Sequence, residues 1–110
     1  MSGQFAADQI IDLAHLRRMT LGDAALEREV LPLFSAHSAL LLQKMRGDPA
    51  AMPALAHTLK GSALGIGATE VARAADALQR RQDDGALLRL EGALEEARAA
   101  IAGMLARSGN

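Results

Sequence analysis

The residues best suited to chemistry are clustered in one short segment, Ala56-His57-Thr58-Leu59-Lys60-Gly61-Ser62. Each helical residue turns the chain by about 100°, so Lys60 and Gly61, three and four beyond His57, are its neighbours on one face. His57 falls about 200° round from Leu55, away from the apolar stripe of Leu55, Leu59, Ser62, Ala63 and Ile66. An outward imidazole of this kind is a nitrogen nucleophile. It needs open approach, and glycine at position 61 removes the side chain beside it. A transferred phosphoryl group is anionic, and the Lys60 ammonium can stabilise it as a nearby point charge. Glycine inside a helix costs about 1 kcal/mol relative to alanine, so Gly61 calls for a reason other than helix formation. Leu64, seven beyond His57, shares the face and offers an apolar contact to a docking partner. Taken singly, His57 reads as an ordinary histidine, Lys60 as a solvated charge and Leu64 as one scattered exposed leucine. The combination is what points to phosphoryl chemistry.

A second element can reach the imidazole. The turn after this helix centres near residue 67, ten residues beyond His57. In an antiparallel hairpin the opposing position is near 77–79, where Gln79 stands. Its amide can bond the ring nitrogen that does not react, fixing tautomer and orientation. A half-buried glutamine without a part in transfer is the plain alternative.

The elements that must hold these side chains are helices. The chain has 110 residues, 50% of them hydrophobic, with 24 Ala and 18 Leu but only six Val and Ile together and two Phe. Strands favour β-branched and aromatic residues, whereas Ala and Leu are strong helix formers. Sandwiches, barrels and parallel sheets are excluded on this ground, as are the aromatic stacking platforms of single-stranded nucleic-acid binders. Twelve basic and 13 acidic residues give a net charge of −1, without the basic footprint of a nucleic-acid protein. The absence of cysteine removes disulfides, thiolate metal sites and thiol nucleophiles. No apolar run approaches the ~18 residues of a membrane span, and the N-terminus lacks signal-peptide character. A soluble cytoplasmic protein without membrane or nucleic-acid partners is expected.

Residues 1–9 are expected to fray. Asp12 caps a short helix ending near Leu21-Gly22, and Asp23 caps a second. Leu26, Val30, Leu33, Phe34, His37, Leu40, Leu41 and Met45 form the apolar stripe of that second helix, with Pro32 predicted to kink it. Gly47-Asp48-Pro49 ends it, and Asp48 is placed to cap the next helix. The third helix proper is predicted from near Pro53, in preference to a separate turn over 49–52. Gly65, Gly67 and Thr69 mark the next break. A fourth helix spans about 68–83, with Val71, Ala74, Ala75 and Leu78 inward. Asp84-Gly85 makes a turn, and a last helix spans about 86–107 on Leu87, Leu90, Leu94, Ala97, Ile101 and Leu105. Short loops between long helices imply antiparallel neighbours. The expected fold is all-α: an antiparallel up-down-up-down four-helix bundle with a short additional N-terminal helix, one domain over residues 1–110.

The run His57-Thr58-Leu59-Lys60-Gly61-Ser62-Ala63-Leu64-Gly65-Ile66-Gly67-Ala68 resembles the signature of histidine-containing phosphotransfer (HPt) domains, an HxLKG core followed by a Gly-Ala pair. The resemblance extends over nearly the whole chain, including Ile11-Asp12, the Gly22-Asp23 turn, Phe34 and the Gly47-Asp48 turn. It implies a four-helix bundle with a short extra helix. It implies that His57 is phosphorylated on Nε2, that Lys60 neutralises the phosphoryl group, that Gly61 gives clearance, that Gln79 bonds the imidazole and that Gly67 permits the turn into the fourth helix. It further implies a phosphoryl carrier without kinase activity, relaying the group between aspartates of response-regulator receiver domains or a hybrid histidine kinase. No cofactor of its own is implied, since the magnesium used in transfer belongs to the receiver. Leu64 is bulkier than the small residue usual at that position, and Pro53 is unusual so near the start of the third helix. Arg73, Arg80 and Arg81 read as a solvated face; Arg73 and Arg80 with Leu64 are the candidate docking residues, the arginines facing an acidic receiver pocket.

Two other readings compete with this stand-alone carrier. A non-catalytic helical adaptor binding a signalling partner through the same face predicts that His57→Ala leaves signalling intact while Leu64→Arg abolishes it. A metal-binding bundle enzyme predicts tight metal uptake, but His15, His37 and His57 form no i,i+3 or i,i+4 pair, and the ExxH pairs of such sites are missing. Gly65-Ile66-Gly67 contains GxG but follows no strand, so it is no dinucleotide loop. Without a long paired-helix seam, a monomer is expected.

Overall fold

A computed structural model describes residues 10–108, and the expectation for residues 1–9 lies outside them. Among the described residues five α-helices follow in order from Leu13: α1 Leu13–Met19, α2 Ala24–Gly47, α3 Met52–Ile66, α4 Thr69–Arg80 and α5 Asp84–Ser108, with a 3₁₀ turn Pro49–Ala51 before α3. No strand occurs among the described residues. Each long helix packs on its sequence neighbour, and α5 returns to α2, closing a four-helix ring. The short connections make neighbours antiparallel. The short α1 lies against α3.

The boundaries follow local chemistry. Asp12 accepts the His15 N–H at 3.1 Å and Asp23 accepts the Leu26 N–H at 3.1 Å, so both aspartates cap as their positions suggest. The helix α2 runs on through Pro32, which is exposed. Asp48 makes no side-chain cap. The alternatives weighed for 49–53 both occur: a separate 3₁₀ turn, then a helix starting at Met52 with Pro53 in its first turn, where no ladder N–H is needed. The last helix starts two residues before the position expected, because Asp83 accepts the Ala86 N–H at 2.7 Å and Gly85 is taken into the first turn. The fourth helix stops at Arg80 instead of continuing to 83.

The turn between α3 and α4 sets the register of the site. Gly67 adopts φ 81°, the Ala68 N–H bonds the Ala63 carbonyl at 2.8 Å, and the Gly67 N–H bonds Leu64 O at 3.3 Å. This is the paired closure of a helix C-terminus that uses a left-handed residue. A Cβ at Gly67 would also lie 2.8 Å from the Asp12 carbonyl oxygen. The Asp12 N–H donates to Gly67 O at 2.8 Å, so the same glycine docks the start of α1.

The core is built from Leu16, Phe34, Met45, Leu59, Val71, Leu78, Leu90 and Ile101 with many alanines between them. On α3 the buried row is Met52, Ala56, Leu59, Ala63 and Ile66, with Leu55 and Ser62 half-buried at its margin. On α4 Ala72 is buried and Ala74 half-buried. The stripe expected on α2 needs correction. The buried row is Leu31, Phe34, Ser38, Leu41 and Met45, whereas Leu26, Leu33, His37 and Leu40 are exposed. Apolar neighbours at 30/31, 33/34 and 40/41 satisfy the helical period in two adjacent rows, and packing buries only the row carrying Phe34 and Met45. Ser38 is tolerated inside because its hydroxyl donates to Ser35 O at 3.1 Å.

Candidate functional site

The site is a ladder across α3 and α4. His57 stands exposed on α3, with Ala56 and Leu59 fully buried beneath it. Its Nδ1 lies 3.4 Å from Gln79 Nε2 on α4. One turn along, Lys60 Nζ meets Asp76 Oδ1 at 2.9 Å. Both rungs pair residues equidistant from Ala68, as an antiparallel hairpin turning there requires. The rails do not move relative to each other easily, since Leu59, Ala63, Ala75 and Leu78 are wholly buried.

Gln79 therefore reaches the imidazole from the position hairpin arithmetic gives it. The contact is long for a hydrogen bond, and its sense depends on the amide. With the amide nitrogen toward Nδ1, Gln79 donates and the ring proton sits on Nε2. With the amide rotated, Oε1 accepts from Nδ1–H and the Nε2 lone pair is free. The backbone carbonyl of Gln79 accepts from Gln82 Nε2 at 2.7 Å.

Gly61 is exposed, and a Cβ built there meets nothing within 4 Å. It lies mid-helix with no positive φ. Neither packing nor backbone conformation in this chain requires glycine at 61. Leu64, two turns from His57 on the outer surface, is 49% exposed.

Asp76 is the residue that sequence reasoning missed. Its carboxylate takes Lys60 on one oxygen and the Arg80 guanidinium on the other. The Lys60 and Asp76 side chains are 35% and 25% exposed, so the pair is half-sheltered. The signal was available: the arithmetic that sets Gln79 opposite His57 sets Asp76 opposite Lys60. Lys60 is thus no free solvated charge, and Arg80 lies beside the site through Asp76.

Arg73 is not brought to this cluster. Its guanidinium lies 2.5 Å from Glu70 Oε2, and it lines the groove between α4 and α5 floored by Ala74, Ala77, Gly92 and Ala93. Other grooves lie between α2 and α5 and beside α1. His57 is exposed, so its imidazole meets solvent, and it lines none of these grooves. His37, counted by sequence in the apolar stripe of the second helix, is exposed on α2. Pro32, Ser35, Ala39 and Leu42 line grooves against α5. The row of Leu33, His37 and Leu40 falls about half a turn round the helix from these, on the flank toward α3. Leu33 is 66% and Leu40 48% exposed.

No group of three or more His, Asp or Glu side chains among the described residues is placed to hold a metal ion. No helix among them is long and apolar enough to cross a membrane. No curated protein and no solved structure matches the chain. The family model of the Hpt domain matches residues 22–107, which include all five positions of the His57, Lys60, Gly61, Asp76 and Gln79 set. With an all-helical bundle and a match over most of its length, the chain belongs to the Hpt domain family.

Proposed function

We propose that this protein relays a phosphoryl group between receiver-domain aspartates in a multistep phosphorelay, with His57 as the carrier. Hpt domains serve histidine phosphotransfer as carriers without kinase activity of their own, and they typically work with receiver domains and histidine kinases. The observation that carries the reading for this chain is the exposed His57 imidazole with Gln79 on one nitrogen and the Lys60 ammonium one turn away.

In transfer, the Nε2 lone pair forms a bond to phosphorus as the P–O bond to the donor aspartate breaks. The bonding electrons leave on that carboxylate. The Nδ1 proton stays on the ring, held by Gln79 Oε1 in its accepting orientation. Lys60 offsets charge on the phosphoryl oxygens, and Gly61 leaves room for the partner's reacting carboxylate. The reverse sequence passes the group to a second aspartate. Little more is needed, because such transfer depends on positioning and charge. The surrounding pocket, and the magnesium used in transfer, come from the receiver, which fits an imidazole exposed on the surface of α3. Leu64, with Leu33 and Leu40 on the adjoining flank of α2, supplies apolar contact, and Arg80 edges the same surface. Arg73, turned to the α4–α5 groove, belongs to the docking face less well. The carrier acts as a monomer in the cytoplasm.

Incubation with a phosphorylated receiver tests this. The protein should acquire an acid-labile, base-stable phosphate, and His57→Gln should acquire none. Continued labelling of His57→Gln would overturn the assignment. Signalling that survives His57→Ala but not Leu64→Arg would replace the carrier with an adaptor.

A further inference from the structure

The second rung of the ladder presents a competition. Lys60 sits one turn from His57 and also holds Asp76 Oδ1 at 2.9 Å. Asp76 is itself fixed, since Arg80 from the same helix takes its other oxygen. A phosphoryl group on His57 would bring a second anion to the same ammonium. Lys60 then has two partners, one of them a permanent part of α4. Each contact it gives the phosphoryl oxygens weakens its bond to Asp76, and the fixed carboxylate also repels the phosphoryl charge directly. In a half-sheltered setting such charge-assisted bonds outweigh exposed ones.

We propose that Asp76 is a positioning residue that sets the transfer potential of the carrier. By holding part of the Lys60 ammonium, it keeps phospho-His57 from becoming a thermodynamic trap and so keeps onward transfer open. Arg80 tempers the effect by occupying the second oxygen. The inference rests on the carrier reading above and deepens it. A carrier between two aspartates has to accept and release with similar ease, and a lysine with no counter-ion would favour only acceptance.

Phosphoramidate, a small-molecule phosphoryl donor, tests the proposal without a partner protein. The His57 Nε2 lone pair forms the new N–P bond, the donor's N–P bond breaks, and ammonia leaves, so ammonia concentration sets the equilibrium. The charged fraction is read by phosphorus NMR at a donor-to-ammonia ratio that leaves the parent protein half charged. Asp76→Asn keeps the shape and removes the charge. It should raise the equilibrium constant for charging by about three- to ten-fold, the range of a half-sheltered charge-assisted contact. In a Lys60→Gln background the same change should shift it by less than about two-fold, because the competition is then gone. Asp76→Glu, which restores the charge, should return the constant toward the parent value.

An unchanged constant in Asp76→Asn, or a shift against charging, would overturn the proposal and leave Asp76 as a simple anchor for Lys60. So would an equal shift in the Lys60→Gln background, which would mean direct repulsion alone. Failure of the underlying reading looks different: the parent would not charge at His57, or His57→Gln would charge equally. Should Asp76→Asn not fold, the ¹⁵N resonance of the Lys60 ammonium in the parent protein gives a second measurement. It should move on charging as the Asp76 contact weakens, and a stationary resonance would overturn the proposal.

Discussion

Gly61→Ala should make this protein more stable and slower at phosphotransfer, two effects that ordinarily do not travel together. Gly61 lies in the interior of α3, is exposed, and a Cβ there meets nothing within 4 Å. Alanine at an unhindered helical position gains about 1 kcal/mol over glycine. For a domain of this size that raises the midpoint of thermal unfolding by about 4 °C. The same methyl stands one turn from the imidazole, on the side from which a receiver must approach. Transfer from a phosphorylated receiver should slow several-fold, and Gly61→Leu, which fills more of that space, should slow it by about a hundred-fold or more while folding as well. Gly92→Ala is the control. Gly92 is also exposed and mid-helix with nothing near its Cβ, but it lies on α5, away from His57. It should give the same rise in stability with transfer unchanged. The measurements are a thermal melt and a rapid-quench transfer assay on each variant. If Gly61→Leu transfers as fast as the parent, the glycine is not there for clearance. If Gly61→Ala loses stability, the space around the Cβ is not open.

Gly67→Ala should destabilise by about 1–3 kcal/mol, read by chemical denaturation, because the residue holds φ 81° and its Cβ would lie 2.8 Å from Asp12 O. A change under about 0.5 kcal/mol would mean the α1 contact yields freely. Gln79→Leu removes the amide on His57 Nδ1 while leaving Leu78 packed, so transfer rate should fall about ten-fold with the unfolding midpoint little changed; an unaltered rate would make Gln79 a bystander.

The helical class, the breaks at Gly22, Gly47 and Gly67, and the outward placement of His57, Lys60 and Gly61 were legible from residue types and spacing. Each depends on interactions within a few residues: caps, left-handed glycines and the 100° helical step. Gln79 was legible for a different reason, since a two-residue turn leaves the hairpin register little freedom. The same register pointed to Asp76, but a carboxylate on a polar helix face looks like any solvated charge until its partner is known. The orientation of α2 was not legible. With leucine or valine beside the buried residue at 30/31, 33/34 and 40/41, periodicity supported two rows equally, and only the packing of α2 against α3 and α5, which buries Phe34 and Met45, separated core from surface. That choice turned Leu33, His37 and Leu40 outward, and with them the shape of the proposed docking face.

The amino-acid sequence by itself determined that this chain is a helical bundle in which an outward imidazole, His57, has a lysine and a glycine beside it, because those features are local. Tertiary structure decided what the lysine is bound to. The Lys60–Asp76 contact joins residues 16 apart and exists only because the turn at Gly67 aligns α4 against α3. Whether an ammonium is free or shared is a matter of distance between helices, and no pattern within one helix contains that distance.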